Sequence, residues 1–169
     1  MSTWTLLAPG PSAKAAQAEC ARDVCYKVGV VSSAYTLAPW ADFIAATDAA
    51  WWRANPEAKA CPGRKFAMHR VDGIERLDVP ALHTVCNSGV LALEVAVLLG
   101  ATRIHLYGFD MHGTHFFGEY TNGLRNTTEG QRAMHLKQYR QWAAAHPEIE
   151  VINCTVGSAI DCFPMTKAA

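Results

Sequence analysis

The chain has 169 residues, half of them hydrophobic, with 15 basic and 15 acidic side chains and no formal net charge. That length fits a single domain, residues 1–169, around one well-filled core, and the charge balance argues against broad nucleic-acid or membrane-surface binding. No apolar run approaches the ~20 residues that cross a bilayer, and the start, Met1-Ser2-Thr3-Trp4, lacks the pattern of a signal peptide, so a cytoplasmic protein with six reduced core cysteines is expected.

Trp4 to Ala8 reads as a strand, Pro9-Gly10-Pro11-Ser12 as a tight turn, and Ala13 to Cys20 as a helix capped by Ser12. No Glu or Gln stands three residues after Ser12 to close a capping box, which leaves first-turn amides for an anion. Tyr26 to Val31 is the next strand and ends at Ser32-Ser33; Phe43 to Ala46 is a third. Asp48 caps a short helix through Trp51-Trp52 that ends before Pro56. Trp40, Asp48 and Trp51 form either a wall on which a base or acceptor sugar stacks or a plain hydrophobic corner. Residues 55–80, with Pro56, Pro62-Gly63 and Pro80, read as an edge hairpin or excursion, and His83-Thr84-Val85 as a short strand.

The centre of the chain runs from Cys86 to Asp110. Asn87-Ser88-Gly89 is a turn and N-cap, Val90 to Leu99 a buried helix interrupted only by Glu94, and Gly100 its C-cap. Arg103 to Tyr107 is a strand, and Gly108-Phe109-Asp110 leaves its end. Helix followed at once by strand is half of a βαβ unit, so the predicted fold is a three-layer α/β, Rossmann-like domain with a mostly parallel sheet. Ligands of such sheets sit beyond the carboxyl ends of the strands.

After Asp110 a loop of roughly 15 residues carries His112, His115 and Glu119, and loops of that size tend to be functional or mobile. Thr127 or Thr128 starts a last long helix, through about Ala145, with Met134, Tyr139 and Trp142 facing inward and Pro147 ending it. Glu150 to Asn153 is the final strand, followed by the turn Thr155-Val156-Gly157-Ser158.

Three strand-end turns contain serine: Gly10-Pro11-Ser12, Asn87-Ser88-Gly89 and Gly157-Ser158. In a parallel sheet they converge on one edge and offer helix N-termini to a phosphate or carboxylate. Neither GxGxxG nor GxxxxGK[ST] is present. His112, His115 and Glu119 lack the HExxH or paired CxxC spacing that fixes a metal, so no metal site is assigned. His115, with His112 and Asp110 as alternatives, is the candidate acid–base group, because imidazole titrates near neutrality and the loop lies at the ligand edge.

Leu7-Ala8-Pro9-Gly10-Pro11-Ser12-Ala13-Lys14 resembles the opening motif of bacterial lipooligosaccharide sialyltransferases. Asn87-Ser88-Gly89 through Gly100, with Ile104 to Asp110, is similar to their Ser-Gly helix and following Gly-x-Asp strand. The segments Leu37 to Asp42 and Asp48 to Trp52 look like those of small phage-encoded members without an assigned activity. The resemblance implies a nucleotide-sugar donor, CMP-linked in that family, as substrate with no separate cofactor, and, if the chain is phage-encoded, the cytoplasm expected above is that of the host. It assigns nucleotide contacts to Gly10, Pro11, Ser12, Asn87, Ser88 and Gly89, and puts Ser32 where the family carries an asparagine. The family's catalytic histidine, before the last helix, has no counterpart in Asn126-Thr127-Thr128-Glu129. The leading expectation is therefore a glycosyltransferase-like protein that binds a small nucleotide or nucleotide sugar, with a homo-oligomer left open. The alternative is a non-catalytic phage accessory module that binds a nucleotide or a host partner.

Overall fold

A computed structural model describes residues 2–166. Its frame is a seven-stranded sheet in which every neighbouring pair is parallel, in the order β5-β4-β3-β2-β1-β6-β7. The strands are β1 (Thr3–Leu7), β2 (Lys27–Val31), β3 (Phe43–Ala45), β4 (Arg64–Ala67), β5 (Glu75–Arg76), β6 (Arg103–Tyr107) and β7 (Glu150–Asn153). The α-helices are α1 (Ala15–Asp23), α2 (Ala49–Ala54), α3 (Ser88–Leu98) and α4 (Glu129–Ala145). The fold is thus α/β and Rossmann-like. Among the described residues no helix is long and apolar enough to cross a membrane.

Alternation along the strands divides the interior into two layers. Trp4 and Leu6 of β1, Phe43 of β3, and Ile104 and Leu106 of β6 pack beneath α3 and α4. Leu7, Val28, Val30 and Ile44 face the other way, against α1, Trp51 and Trp52. Strands buried on both sides are what an all-parallel sheet requires. Helix α3 has buried residues around most of its girth, from Gly89 to Ala96. It ends in a Schellman arrangement: Gly100 takes a φ of 90°, its amide donates to the Val97 carbonyl, and the Ala101 amide donates to the Ala96 carbonyl.

The structure departs from the sequence expectation in several places, each with a local cause. Helix α1 is capped at Lys14, not Ser12, because Gln17, three residues on, accepts from the Lys14 amide at 2.8 Å. Residues 64–76 form no hairpin; β4 and β5 continue the sheet in parallel, with Arg64 gripping Glu75 through both carboxylate oxygens. His83-Thr84-Val85 forms no strand but follows a 3₁₀ turn at Pro80–Leu82. The carbonyls of Ala81 and Val85 accept from the Gln138 amide of α4 (3.3 and 2.7 Å), so none is offered to the sheet by that pair. Met134 is exposed while Tyr139 and Trp142 are buried. The six cysteines are unpaired and none is a core residue: Cys20 and Cys25 are exposed and the other four half-buried.

Candidate functional site

The strand order fixes where a site can form. From β1 the chain steps outward through β2, β3, β4 and β5, then returns through α3 to place β6 on the other side of β1. The loops after β1 and β6 consequently diverge to opposite faces, and the crevice between them is the topological switch point at which open α/β sheets bind ligands. A cleft of about 560 Å³ occupies that position.

Its floor begins with the loops after β1 and β6. The Gly10 amide donates to the Gly108 carbonyl at 2.9 Å. A Cβ on Gly10 would fall 2.1 Å from Asp110 Oδ2 and 2.3 Å from the Gly108 carbonyl oxygen, so only glycine permits this approach. The Ser12 hydroxyl donates to Asp110 Oδ2 at 2.9 Å and the Ser12 amide at 3.3 Å. Asp110 is 3% exposed and lines the cleft. Its Oδ1 has no hydrogen-bond partner among the described residues, yet it is not one of the fully enclosed unpaired side-chain atoms, which are Trp4 Nε1 and Trp142 Nε1. One carboxylate oxygen is fixed by Ser12 and the other has no hydrogen-bond partner among the described residues.

The N-terminus of α3 forms the second wall. Asn87 caps it by accepting from the amides of Gly89 (3.1 Å) and Val90 (3.2 Å), and the Tyr139 hydroxyl donates to the same oxygen at 3.4 Å. These amides are therefore satisfied within the protein. The Ser88 amide has no partner among the described residues, and the Ser88 hydroxyl accepts from the Thr47 amide at 3.0 Å. Gly89 has a packing role: a Cβ there would lie 2.0 Å from the Tyr139 hydroxyl. Of the three serine turns, only Asn87-Ser88-Gly89 opens directly into a helix. Ser12 is held by Asp110 short of α1, and no helix follows Gly157-Ser158, whose serine donates to the Phe109 carbonyl.

The loop from Met111 to Thr127 closes the third side and is tied down at several points. The Phe116 amide donates to the Pro9 carbonyl (3.0 Å), Arg132 of α4 donates to the Gly113 carbonyl, and His112 Nε2 donates to the Gly157 carbonyl (3.0 Å). Tyr120 shares a hydrogen bond with the Ser33 hydroxyl (2.9 Å), which also accepts from Trp51 Nε1 (3.1 Å). Asn126 pairs with the Tyr120 backbone through both its amide atoms. His115 stacks on Phe117, with centroids 4.8 Å apart and planes within 2°. Its Nδ1 donates to the Gly118 carbonyl at 3.2 Å, so Nε2 keeps its lone pair. Burial holds the His115 imidazole below its ordinary pKa, opposed by the Gly118 hydrogen bond and reinforced by the charge of Arg132.

Helix α4 supplies the last wall through Gln131, His135 and Tyr139, spaced four apart on one face, and Arg132 beside Gln131, three residues before His135. His135 Nε2 donates to the Cys86 carbonyl at 2.9 Å, and burial holds its pKa low. The lining carries Asp48, Asp110 and Glu119 against Arg125 and Arg132. Among the described residues no group of three His, Cys, Asp or Glu side chains is arranged to hold a metal ion.

The cleft thus brings together Gly10, Ser32, Asp48, Trp51, Asn87, Ser88, Gly89, Asp110, His112 and His115. Pro11 and Ser12 lie behind the lining, and Trp40 is elsewhere, beneath the Arg22 guanidinium at 4.4 Å. Of the three non-glycine residues with positive φ among those described, Ser32 (45°) and Met111 (58°) both line the cleft, at the ends of β2 and β6. Such backbone cost is borne where neighbours over-determine the conformation. Sequence reading missed Tyr120, Arg125, Arg132 and His135. The α4 residues carried a usable signal, the 131/135/139 spacing on a helix following the predicted loop; Tyr120 and Arg125 carried none.

Compared with known proteins, the chain matches no family model, no curated protein and no solved structure.

Proposed function

We propose that the cleft binds a nucleotide or nucleotide sugar and that the protein is a glycosyltransferase-like enzyme. The observation that carries this reading is the coincidence, at the switch point between β1 and β6, of the α3 N-terminus, with its unpaired Ser88 amide, and a buried carboxylate with one free oxygen. The short motifs at residues 7–14 and 87–110 that resemble lipooligosaccharide sialyltransferases agree with it and favour a CMP-linked donor.

In this reading the donor phosphate sits against the Ser88 amide at the positive end of α3, with Arg125 and Arg132 as counter-charges. Trp51 and Tyr120 border the space for the base or sugar. His115 Nε2 takes the proton of an acceptor hydroxyl while that oxygen bonds to the anomeric carbon. The bond from that carbon to the phosphate oxygen breaks, and its electron pair leaves with the nucleotide. A neutral imidazole is required for this, and the low pKa of His115 supplies it near neutral pH. Asp110 Oδ1, fixed through Ser12, is the second proton acceptor within the cleft.

Incubation of the purified protein with CMP-, UDP- and GDP-sugars, followed by chromatography of released nucleotide, tests the activity. Release that depends on His115 supports transfer or hydrolysis. Stabilisation by a nucleotide without release identifies the binding-module alternative instead.

A further inference from the structure

Cys86 and His69 form a thiol–imidazole pair at the rim of the same cleft, made of residues that the nucleotide reading does not use. Cys86 precedes the N-cap of α3 and lines the cleft; its Sγ lies 3.6 Å from His69 Nε2. The pair is held from both sides. The His69 amide donates to the Thr47 carbonyl (3.3 Å), the Thr47 amide donates to the Ser88 hydroxyl, and the Cys86 carbonyl accepts from His135. His69 itself is exposed. None of the other five cysteines has a histidine ring nitrogen within hydrogen-bond reach among the described residues.

We propose that Cys86 is a nucleophile, with His69 as its base, that accepts the acyl group of a small ester or thioester entering the cleft. Burial raises the pKa of the Cys86 thiol, so the resting form is the thiol and attack needs a proton acceptor at Sγ. His69 Nε2 takes that proton as Sγ bonds to the carbonyl carbon. The backbone amide of Asn87, which has no partner among the described residues, and the N-terminal end of α3 provide positive polarity for the carbonyl oxygen as it gains charge. The carbon–oxygen or carbon–sulfur bond to the leaving group then breaks. His69 returns its proton to the departing alcohol or thiol, and an acyl thioester remains on Cys86. A carbonyl electrophile is favoured over a simple alkylating one because only the carbonyl develops a negative charge that the positive end of α3 stabilises.

p-Nitrophenyl acetate is the probe. The intact protein should release nitrophenol in a burst of one equivalent and carry an acetyl group on the peptide containing Cys86, ahead of Cys20 and Cys25, which are more exposed but lack the imidazole. Cys86→Ser should abolish the burst. His69→Gln should slow it at least ~10-fold, since a positioned base contributes 10²- to 10⁴-fold, with an unchanged urea midpoint showing that the fold is intact. If His69→Gln shifts that midpoint, His69→Asn, which also removes the basic nitrogen, replaces it. Acetylation of Cys86 at the same rate in the folded histidine variant, or acetylation confined to Cys20 and Cys25, overturns the proposal. Neither result depends on whether a nucleotide binds.

Discussion

Asp110 Oδ2 accepts from both the hydroxyl and the backbone amide of Ser12, across 98 residues of chain. This one oxygen joins the loop after β1 to the loop after β6 at the point where the sheet reverses its order. It also explains why Ser12, the obvious cap in the sequence, does not cap α1: its side chain and its amide are already committed. The serine of the Gly-Pro-Ser turn is not among the residues that line the cleft; it holds Asp110, which is.

Gly10→Ala should destabilise the protein by at least about 1–3 kcal/mol, the range of overpacked sites. The new Cβ would meet a backbone oxygen at 2.3 Å as well as the Asp110 carboxylate. Ser12→Ala should cost about 1.5–3 kcal/mol, the range for a hydrogen bond to a charged group. Urea denaturation of both variants checks the ranking, which requires neither to be neutral.

Asn87→Ala removes an oxygen that accepts from two helix amides and from the buried Tyr139 hydroxyl. A loss of about 1–3 kcal/mol is expected, covering the cap and the orphaned hydroxyl. Asn87→Ser, which keeps a capping oxygen but loses the Nδ2 donor to Gln138 Oε1 (3.3 Å), should recover part of that loss, and a melting point between those of the parent and the alanine variant would confirm the capping role.

Much of this frame was legible in the sequence, for reasons that differ by element. Arg103–Tyr107 and Glu150–Asn153 stood out as short apolar strands after a helix stop, and Gly100 marked the end of α3 because a left-handed residue was needed there. Strand β5 was not legible: Glu75 and Arg76 are both exposed and pair along only two residues, so no burial pattern marked them. His83-Thr84-Val85 was misread because its β-branched residues resemble a strand, whereas Gln138, 53 residues downstream of Val85, takes the Val85 carbonyl. The cleft residues were legible in the turns after β1 and β6, at Gly10 and Asp110, and at the N-terminus of α3, at Ser88, although the strand expected before Ser88 is absent. It was hidden where a helix face or a loop folds back over the cleft, as with His135 and Tyr120.

Acid should weaken the fold through its histidines. Burial is the first cause lowering the folded pKa of His105, His115 and His135, each from an ordinary value of 6.5. The unfolded chain therefore binds protons first as pH falls below about 6.5. Stability is full above that value and declines as pH drops towards the lower folded values. Urea midpoints measured from pH 7.5 down to 5.5 (roughly one unit either side of the unfolded value) should fall, and His135→Gln should flatten the fall. A midpoint that rises on acidification would reverse the sign of this linkage.

Once a substrate is identified, His115→Ala should lower turnover at least ~10-fold, within the range of a lost general base, and leave nucleotide affinity nearly unchanged. His112, whose Nε2 is occupied by the Gly157 carbonyl, is the control and should tolerate alanine with a smaller loss. A larger loss at His112 would transfer the role to that residue. Full activity in both variants would leave Asp110 as the proton acceptor.

The most direct measurement is a melting-temperature screen of the parent protein and Ser88→Glu against nucleotides and nucleotide sugars. Glutamate at the first position of α3 is compatible with the helix, since a carboxylate is favoured at that end, and it occupies the place assigned to the donor phosphate. At a ligand concentration of ~100 Kd, binding adds about 2.7 kcal/mol to stability. At least one nucleotide or nucleotide sugar should raise the melting temperature of the parent, and that rise should vanish in the folded Ser88→Glu protein. An equal rise in both proteins would place the ligand away from α3, and no rise with any compound at millimolar concentration would contradict a nucleotide site at the switch point.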